Sequence, residues 1–304
     1  MSNQITSTKR ITIALHALLS ELIDYAGLFP PAALSMEKAV ENYVRYIESE
    51  YAWMLARFVL PLSRLSEFEE ATEKFLSSDE SNLLRLSALC GANLKQEIKT
   101  IEDFNSRYSQ RAIIDTIEIK ASNAAEIEEA RKQIHDSLTC FCEIPIAETS
   151  LISTIASAGF RTKARTGGVK RDMFPSPEDV ARFIFACHES NAAFKATAGL
   201  HHPLRCVKPL TYEKDAECGV MHGFLNLFLA SAFIYCEKLD QREAVDLLLE
   251  ENISSFTFKD DAIAWRSHRI SADQLKDTRE NFAFSFGSCS FEEPVEELKQ
   301  LEIL

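Results

Sequence analysis

Short apolar runs alternate along this chain with longer stretches in which apolar residues recur every three or four positions. The longer spacing is typical of amphipathic helices, and the short β-prone runs indicate buried strands. Strand-like runs lie at Tyr25, 57–60, 83–89, 112–120, 139–144, 161–165, 194–197 and 282–286. Helical spacing covers 10–23, 36–49, 63–76, 95–108, 123–135 and 148–158, and a further helix begins at Ser176-Pro-Glu-Asp179.

Strands that alternate with helices of this length predict a parallel sheet and the α/β class. Eight such strands favour a closed (β/α)8 TIM-type barrel over an open sheet. An open doubly wound sheet usually carries a G-x-G-x-x-G fingerprint after its first strand. Here that position reads Ala26-Gly-Leu-Phe-Pro-Pro31, which does not match. We therefore expect one barrel domain over 1–304.

The stretch 203–280 departs from the alternation, and we interpret it as a helical insertion between the last two strands. Its pattern predicts helices at 219–237 and 242–251 and short extra strands at 255–258 and 262–265. The strongly apolar part, 224–235, fits either the interior of the insertion or a contact with a second copy of the chain. The sequence therefore allows either a monomer or a homo-oligomer.

The composition and charge of the chain indicate which classes of molecule it can bind. The chain has 304 residues, of which 46% are hydrophobic, and a formal net charge of −13. Nucleic-acid binding needs a basic surface, so this charge argues against it, whereas a local basic cluster can still hold a small anionic substrate. The polar start, the lack of a long apolar run and the eight scattered cysteines predict a cytoplasmic protein with reduced thiols and no membrane contact.

Polar side chains gather where the predicted strands end. In a TIM barrel the chemistry lies at the carboxyl ends of the strands, and residues of the same parity share a face. A barrel interior is normally filled by Val, Ile and Leu, so converging charges favour a functional site over a network of structural ion pairs. These residues are Thr116, Glu118, Lys120, Glu143, Arg161, Lys163, Arg165, Lys195, Thr197, His201, His202 and Ser288.

Two lysines stand out in this set. Lys163 lies in Phe160-Arg-Thr-Lys-Ala-Arg-Thr-Gly-Gly168, and Lys195 lies in Ala193-Phe-Lys-Ala-Thr-Ala-Gly-Leu-His-His202. Each run reads as a short strand with a lysine, small residues and then glycine. Because a buried lysine is costly unless it is paired or used, two in successive strands indicate a chemical site.

These two runs resemble strands six and seven of the deoxyribose-phosphate aldolases and related class I (Schiff-base) aldolases. In that family a Lys-Thr-Ser-Thr-Gly run carries the Schiff-base lysine, and a later Lys-Ala-Ser-Gly-Gly run carries a second lysine. The resemblance implies that Lys163 is the amine nucleophile and that Lys195 lowers its pKa. Arg165 stands where the family has serine, and His201 where it has arginine. The blocks 24–32, 194–203 and 284–294 also resemble bacterial proteins of unassigned function.

The leading hypothesis is therefore a Schiff-base aldolase or lyase that acts on a carbonyl substrate such as an aldehyde, a sugar or a keto acid. Glu118 or Glu143 would move protons for the amine. We expect neither a cofactor nor a metal. The substrate-binding residues that we expect are Arg165, Thr166, Gly167, Gly168, Thr197, Gly199, His201, His202 and Ser288.

Two other functions stay open. Glu118, Glu143 and His201 could form the metal site of a barrel isomerase or hydrolase, although nearby lysines would repel a cation. A non-catalytic protein could use the same charged mouth to bind a small ligand. Asp24 and Tyr25 could also reach the pocket, but we do not include them in the expected set.

Overall fold

Eight parallel strands close into a barrel in the computed structural model, which describes residues 11–73, 75, 83–108 and 110–304. The first strand pairs with the last, so the sheet has no free edge. This arrangement confirms the predicted TIM-type α/β barrel. The barrel strands are β1 (Ile23–Tyr25), β2 (Leu55–Pro61), β3 (Leu84–Leu89), β4 (Ala112–Lys120), β5 (Thr139–Ile144), β6 (Arg161–Arg165), β7 (Phe194–Thr197) and β13 (Ala283–Ser288).

Helices connect the strands on the outside of the barrel. Serine side chains cap two of them. Ser35 caps α2, and Ser176 caps α7 at the predicted start, with proline at the first helical position. The helices of this layer are α1 (Ile13–Leu19), α2 (Met36–Ile47), α3 (Leu65–Thr72), α4 (Leu94–Tyr108), α5 (Ala124–Arg131), α6 (Ile152–Ser157), α7 (Pro177–Glu189), α10 (Ala272–Asn281) and α11 (Glu292–Gln300).

The segment between β7 and β13 contains strands as well as helices. A hairpin of β8 (Cys206–Pro209) and β9 (Cys218–Met221) is followed by α8 (Phe224–Tyr235) and α9 (Gln241–Leu248). A small antiparallel sheet then consists of β10 (Phe256–Phe258), β11 (Ala262–Trp265) and β12 (His268–Ser271).

The helix predicted over 219–237 was wrong at its start. Residues 219–221 pair with the other strand of the hairpin, so the helix begins only at Phe224, after Gly223. Helix α8 is apolar around its whole circumference, and all of its residues but Tyr235 are buried within this chain. The strands predicted at 255–258 and 262–265 are present as β10 and β11.

Charged side chains form an ion network in the amino-terminal half of the barrel interior. The guanidinium of Arg57 donates to both carboxylate oxygens of Asp115, at 2.5 and 2.9 Å, and Arg85 lies 3.2 Å from the same carboxylate. Arg161 packs with its guanidinium 3.8 Å from the ring centroid of Phe284. Arg57 and Phe284 also border a cavity with a volume of about 810 Å³ for water-sized molecules at this end of the barrel.

The remaining global predictions concern thiols and membranes. All eight cysteines belong to the described part of the chain, and each is a free thiol. Cys140 and Cys142 are both buried. Within the described ranges, the structure has no helix that is both long enough and apolar enough to cross a membrane.

Candidate active site

The barrel register places the predicted charged residues side by side. Glu143 on β5 is level with Lys163 on β6, and Lys163 is level with Lys195 on β7. Side chains at the same level of adjacent parallel strands that share a face meet in the interior. The strands alone therefore bring two amines and a carboxylate to one height of the barrel.

Glu118 joins the two lysines. Its Oε2 atom lies 2.6 Å from Nζ of Lys163, and its Oε1 atom lies 2.7 Å from Nζ of Lys195. The hydroxyl of Ser87 donates to the same Oε1 at 2.7 Å. All three ionisable side chains are at most 4% exposed. One buried carboxylate thus accepts from both amines, which face the same space.

Asp24 completes the surroundings of Lys195. Its Oδ2 atom lies 2.5 Å from Nζ of Lys195 and accepts from the hydroxyl of Ser285 at 2.7 Å. Its Oδ1 atom accepts from the backbone N–H of Arg57 at 3.1 Å. The ammonium of Lys195 is therefore fixed by two carboxylates, 5.2 Å from the ring centroid of Phe141.

Lys163 has a second partner closer to solvent. Its Nζ atom lies 2.6 Å from Oε2 of Glu143, whose side chain is 12% exposed. The guanidinium of Arg165 reaches the other oxygen of Glu143 at 3.4 Å, and its own side chain is 43% exposed. The cluster therefore runs from a closed end at Asp24 to an accessible end at Arg165.

The charges around the two lysines are not those of two amines that repel each other without counterions, because carboxylates contact both. Burial by itself lowers the pKa of Lys195, but the charges of Asp24 and Glu118 outweigh it, so that pKa is raised. Burial likewise raises the pKa of Glu118 and of Glu143, and the neighbouring lysine charges and hydrogen bonds reverse this effect in both. Glu118 and Glu143 are consequently carboxylates at neutral pH, and Lys195 is an ammonium.

A cavity opens above the cluster, with a volume of about 90 Å³ for water-sized molecules. Lys163, Lys195 and Glu118 form part of its wall. The opposite wall is apolar and comes from the ends of the first three barrel strands and the loop after β1. Its residues include Phe29, Pro30, Pro31, Val59 and Leu89.

No known protein-family model matches the chain, and no curated protein matches it either. The function of this cavity therefore has to be argued from its own chemistry.

Several predicted substrate-binding residues do reach the cavity. They are Arg165, Gly168, Thr197, Gly199 and His201, and they line it together with the two lysines. All of them follow or end β6 and β7, so this part of the wall comes from the two strands whose sequence runs resemble each other.

Four predicted substrate-binding residues lie outside the cavity wall, as does the predicted catalytic residue Glu143. The hydroxyl of Thr166 donates to the carbonyl of Ala198, and Gly167 packs against Gly199, so both join the β6 and β7 loops. His202 binds Glu297 at 2.7 Å, and its ring centroid lies 6.3 Å from that of His201. Ser288 is buried, and its hydroxyl accepts from the N–H of Ser290. These four support the site without lining it.

The residues of the metal hypothesis do not converge on a common point. Among the described residues, no group of three or more His, Cys, Asp and Glu side chains is arranged to hold a metal ion. Glu118 and Glu143 each bind lysine, and the ring of His201 contacts Glu293 instead. The carboxylates of Glu118 and Glu143 therefore bind lysine amines in this geometry.

The sequence prediction left out Asp24, Gly287 and Cys289. Asp24 binds Lys195, and the other two residues line the cavity from the end of β13. The signal for Asp24 was present, because a buried acid at the end of a barrel strand is unusual. Strand β1 has only three residues, which is too short to show which side chains face inward.

Proposed function

We propose that this cavity catalyses a Schiff-base aldolase or lyase reaction on a small carbonyl compound, such as an aldehyde, a small sugar or a keto acid. The observation that carries the proposal is the pair of buried lysines that share Glu118 at the wall of one cavity. The cavity lies at the carboxyl ends of the barrel strands, where TIM-barrel enzymes have their active sites.

The partners of the two amines suggest different roles. The raised pKa of Lys195 keeps this residue protonated between Asp24 and Glu118, so it acts as a fixed positive charge. Lys163 instead contacts Glu143, the carboxylate nearer to solvent, which can take up its proton. Lys163 is therefore the nucleophile in this proposal.

Imine formation preserves the charge balance of the cluster. The ammonium of Lys163 gives one proton to Glu143, and the free amine attacks the carbonyl carbon. A proton passes from the nitrogen to the carbonyl oxygen to give a carbinolamine, and Glu143 returns its proton to that hydroxyl, which leaves as water. Ammonium plus carbonyl thereby become iminium plus water. Both the initial and final nitrogen carry one positive charge, and the ion pair with Glu118 can persist. A buried charge is tolerated only while it stays paired, which this route achieves.

The iminium then acts as an electron sink. When the neighbouring carbon–carbon bond breaks, its electron pair forms the enamine double bond and neutralises the nitrogen. The hydroxyl proton of the departing fragment passes to a base, and the enamine carbon later takes up a proton. Aldol addition is the reverse of these steps.

The shape of the cavity favours a compact substrate. A volume of about 90 Å³ accommodates several water molecules or a compound of similar size. An apolar side of the substrate would face Phe29 and Val59, and its oxygen atoms would face Thr197 and Arg165. Gly168 and Gly199 leave space beside them because they carry no side chain.

Borohydride trapping tests the proposal. The protein is incubated with acetaldehyde, glyceraldehyde or pyruvate and reduced with borohydride, which converts an iminium into a stable secondary amine. We expect the added mass on the peptide that contains Lys163, and its loss in Lys163→Met. Mapping the peptide in the wild-type protein keeps the test valid even if the variant folds poorly.

Lys170→Met is the matched control, because Lys170 follows the same strand but does not line the cavity. This variant should trap the probes as well as the wild type does. If none of the three probes is trapped, or if the mass is found on surface lysines alone, the proposal is contradicted. Binding of a probe without trapping would point instead to a ligand-binding protein.

A further inference from the structure

His201 lies on the cavity wall but outside the lysine cluster. It follows β7 and is 8% exposed. Its Nδ1 atom lies 3.2 Å from Oε2 of Glu293, in the first turn of α11. Among the described residues, its Nε2 atom has no hydrogen-bond partner. One ring nitrogen is thus anchored, and the other is available to a molecule in the cavity.

Glu293 is itself held in place. Its Oε2 atom also accepts from the hydroxyl of Tyr212 at 2.9 Å, and its backbone N–H donates to Ser290. Burial opposes ionisation, but the contacts from His201 and Tyr212 outweigh it and lower the pKa of Glu293. An ionised carboxylate only accepts hydrogen bonds, so Nδ1 of His201 donates to it, and the lone pair of the ring in its neutral form is then on Nε2.

The acids of the lysine cluster, Glu118 and Glu143, lack this freedom. Both oxygens of Glu118 accept from lysine, and one of them also accepts from Ser87. Both oxygens of Glu143 contact basic groups as well. These carboxylates suit proton exchange with the amine nitrogen. A proton on the carbon chain of a bound substrate needs a base that is not already occupied.

We infer that His201, oriented by Glu293, is the residue that transfers protons to and from the substrate carbon next to the iminium. This inference rests on the proposed Schiff-base function. Nε2 removes the proton of that carbon, the C–H electron pair forms the enamine double bond, and the iminium nitrogen regains its lone pair. The imidazolium that results is stabilised by Glu293 and returns the proton in the reverse step.

The chain provides an internal control for this pair. His202 contacts Glu297 through Nδ1 at 2.7 Å, and Glu297 lies one helical turn after Glu293 on α11. The two histidine–carboxylate pairs therefore have the same chemistry, but His202 does not line the cavity. Only the pair at His201 can reach a bound substrate.

Solvent deuterium exchange tests the inference. The probe is whichever of acetaldehyde, glyceraldehyde and pyruvate is trapped best, and mass spectrometry measures deuterium entering its carbon next to the carbonyl. We expect His201→Ala to keep borohydride trapping within about twofold while exchange falls about 10²-fold or more, the usual size of a general acid–base contribution. Added imidazole should restore part of that loss. His202→Ala should exchange like the wild type.

Glu293→Gln gives a second test that leaves the imidazole in place. We expect about tenfold slower exchange at saturating probe with an unchanged KM, because the carboxylate charge no longer stabilises the imidazolium. Glu297→Gln is its matched control and should have no effect. Unchanged exchange in His201→Ala, or an equal loss in His202→Ala, would overturn the role of His201 alone. Absence of trapping in the wild type would overturn the imine proposal and this inference with it.

Discussion

Glu118 is the residue that connects the two lysines of the buried cluster. Its carboxylate lies between two ammonium groups at one level of the barrel, and it is the one acid among their described partners that contacts both. Desolvating a carboxylate is expensive, and only direct contact with both lysines compensates for it. The same contact holds Lys163 and Lys195 in fixed positions, so the stability of the cluster and the geometry of the proposed active site depend on one side chain.

The substitution Glu118→Gln tests this dependence. Glutamine has nearly the same shape, but it removes the negative charge and places an amide N–H₂ near an ammonium. Breaking a buried ion pair costs about 3–5 kcal/mol, and we expect a loss of that order in the free energy of unfolding, measured with urea.

Glu129→Gln is the control, because Glu129 pairs with Lys132 on the surface. Its unfolding midpoint should match that of the wild type, since exposed ion pairs contribute little. Equal midpoints for the two variants would show that Glu118 does not hold the cluster together.

At the scale of elements, β6 and β7 form the most constrained part of the site. Gly199 has a positive φ of 74°, and a Cβ atom there would lie 2.8 Å from Cα of Gly167 and 2.7 Å from the ring of Phe174. The two strand ends can approach this closely only because both positions are glycine. This approach sets where Thr197 and His201 stand relative to Lys163.

Replacing Gly199 with alanine should therefore cost more than backbone strain alone. Gly159 has the same φ of 74°, but a Cβ atom there meets nothing within 4 Å, so Gly159→Ala measures the strain by itself. We expect about 1–2 kcal/mol for Gly159→Ala and a clearly larger loss for Gly199→Ala in urea unfolding. Gly199→Ala should also slow imine trapping, whereas Gly159→Ala should not. Equal losses in the two variants would mean that the close approach is unimportant.

The sequence predicted the elements best where the pattern was long and regular. The nine-residue β4 and the six-residue β5 were predicted at their observed bounds, because alternating side chains mark such strands clearly. The start of α8 was predicted too early. The apolar residues of β9 precede the apolar helix closely, so the hydrophobic pattern does not mark where the strand ends and the helix begins. The predicted site residues divide differently: Glu118, Lys163 and Lys195 on regular strands meet at the cavity, whereas the loop residues are split between those that line it and those that do not.

Loop side chains depend on contacts between distant parts of the chain. Glu293 and Tyr212 were not in the predicted set, although they contact each other beside His201. They lie 81 positions apart, and no local pattern connects them. Thr166 looked like a binding residue because it precedes two glycines, but its hydroxyl is used by the backbone of the β7 loop.

At the scale of the whole molecule, a short strand closes the barrel, and one buried arginine holds the chain in place beside it. Strand β1 contributes only three residues to the sheet. Arg279 on α10 donates to the carbonyl groups of Leu18, Ser20 and Ala283, so it ties the chain entering β1 to the start of β13. Burial lowers the pKa of Arg279 to about 9. Asp24 thus sits on a strand that is fixed from outside the barrel.

The charged interior should also shape the pH dependence of folding. The pKa values of Glu118 and Glu143 are lowered, so their contribution is complete above about pH 4.3, the unfolded value, and is lost as the pH falls through their folded values. The pKa of Lys195 is raised, so its contribution is complete below about pH 10.4 and is lost as the pH rises through its folded value.

Urea unfolding over a series of pH values measures this dependence. We expect a broad plateau between these limits, and a shallower acid limb in Glu118→Gln. A free energy of unfolding that rises steadily as the solution becomes acidic would contradict the prediction.

The first turn of α11 has a consequence for substrate choice. Many TIM barrels bind a phosphate group between the loops after the seventh and eighth strands, at the amino end of a nearby helix. In this chain the corresponding helix begins with Glu292 and Glu293, and Glu293 is ionised beside His201. A phosphoester would meet negative charge there instead of free backbone N–H groups. The barrel thus has a carboxylate at that position, and we expect a substrate of the proposed reaction to lack a phosphate group.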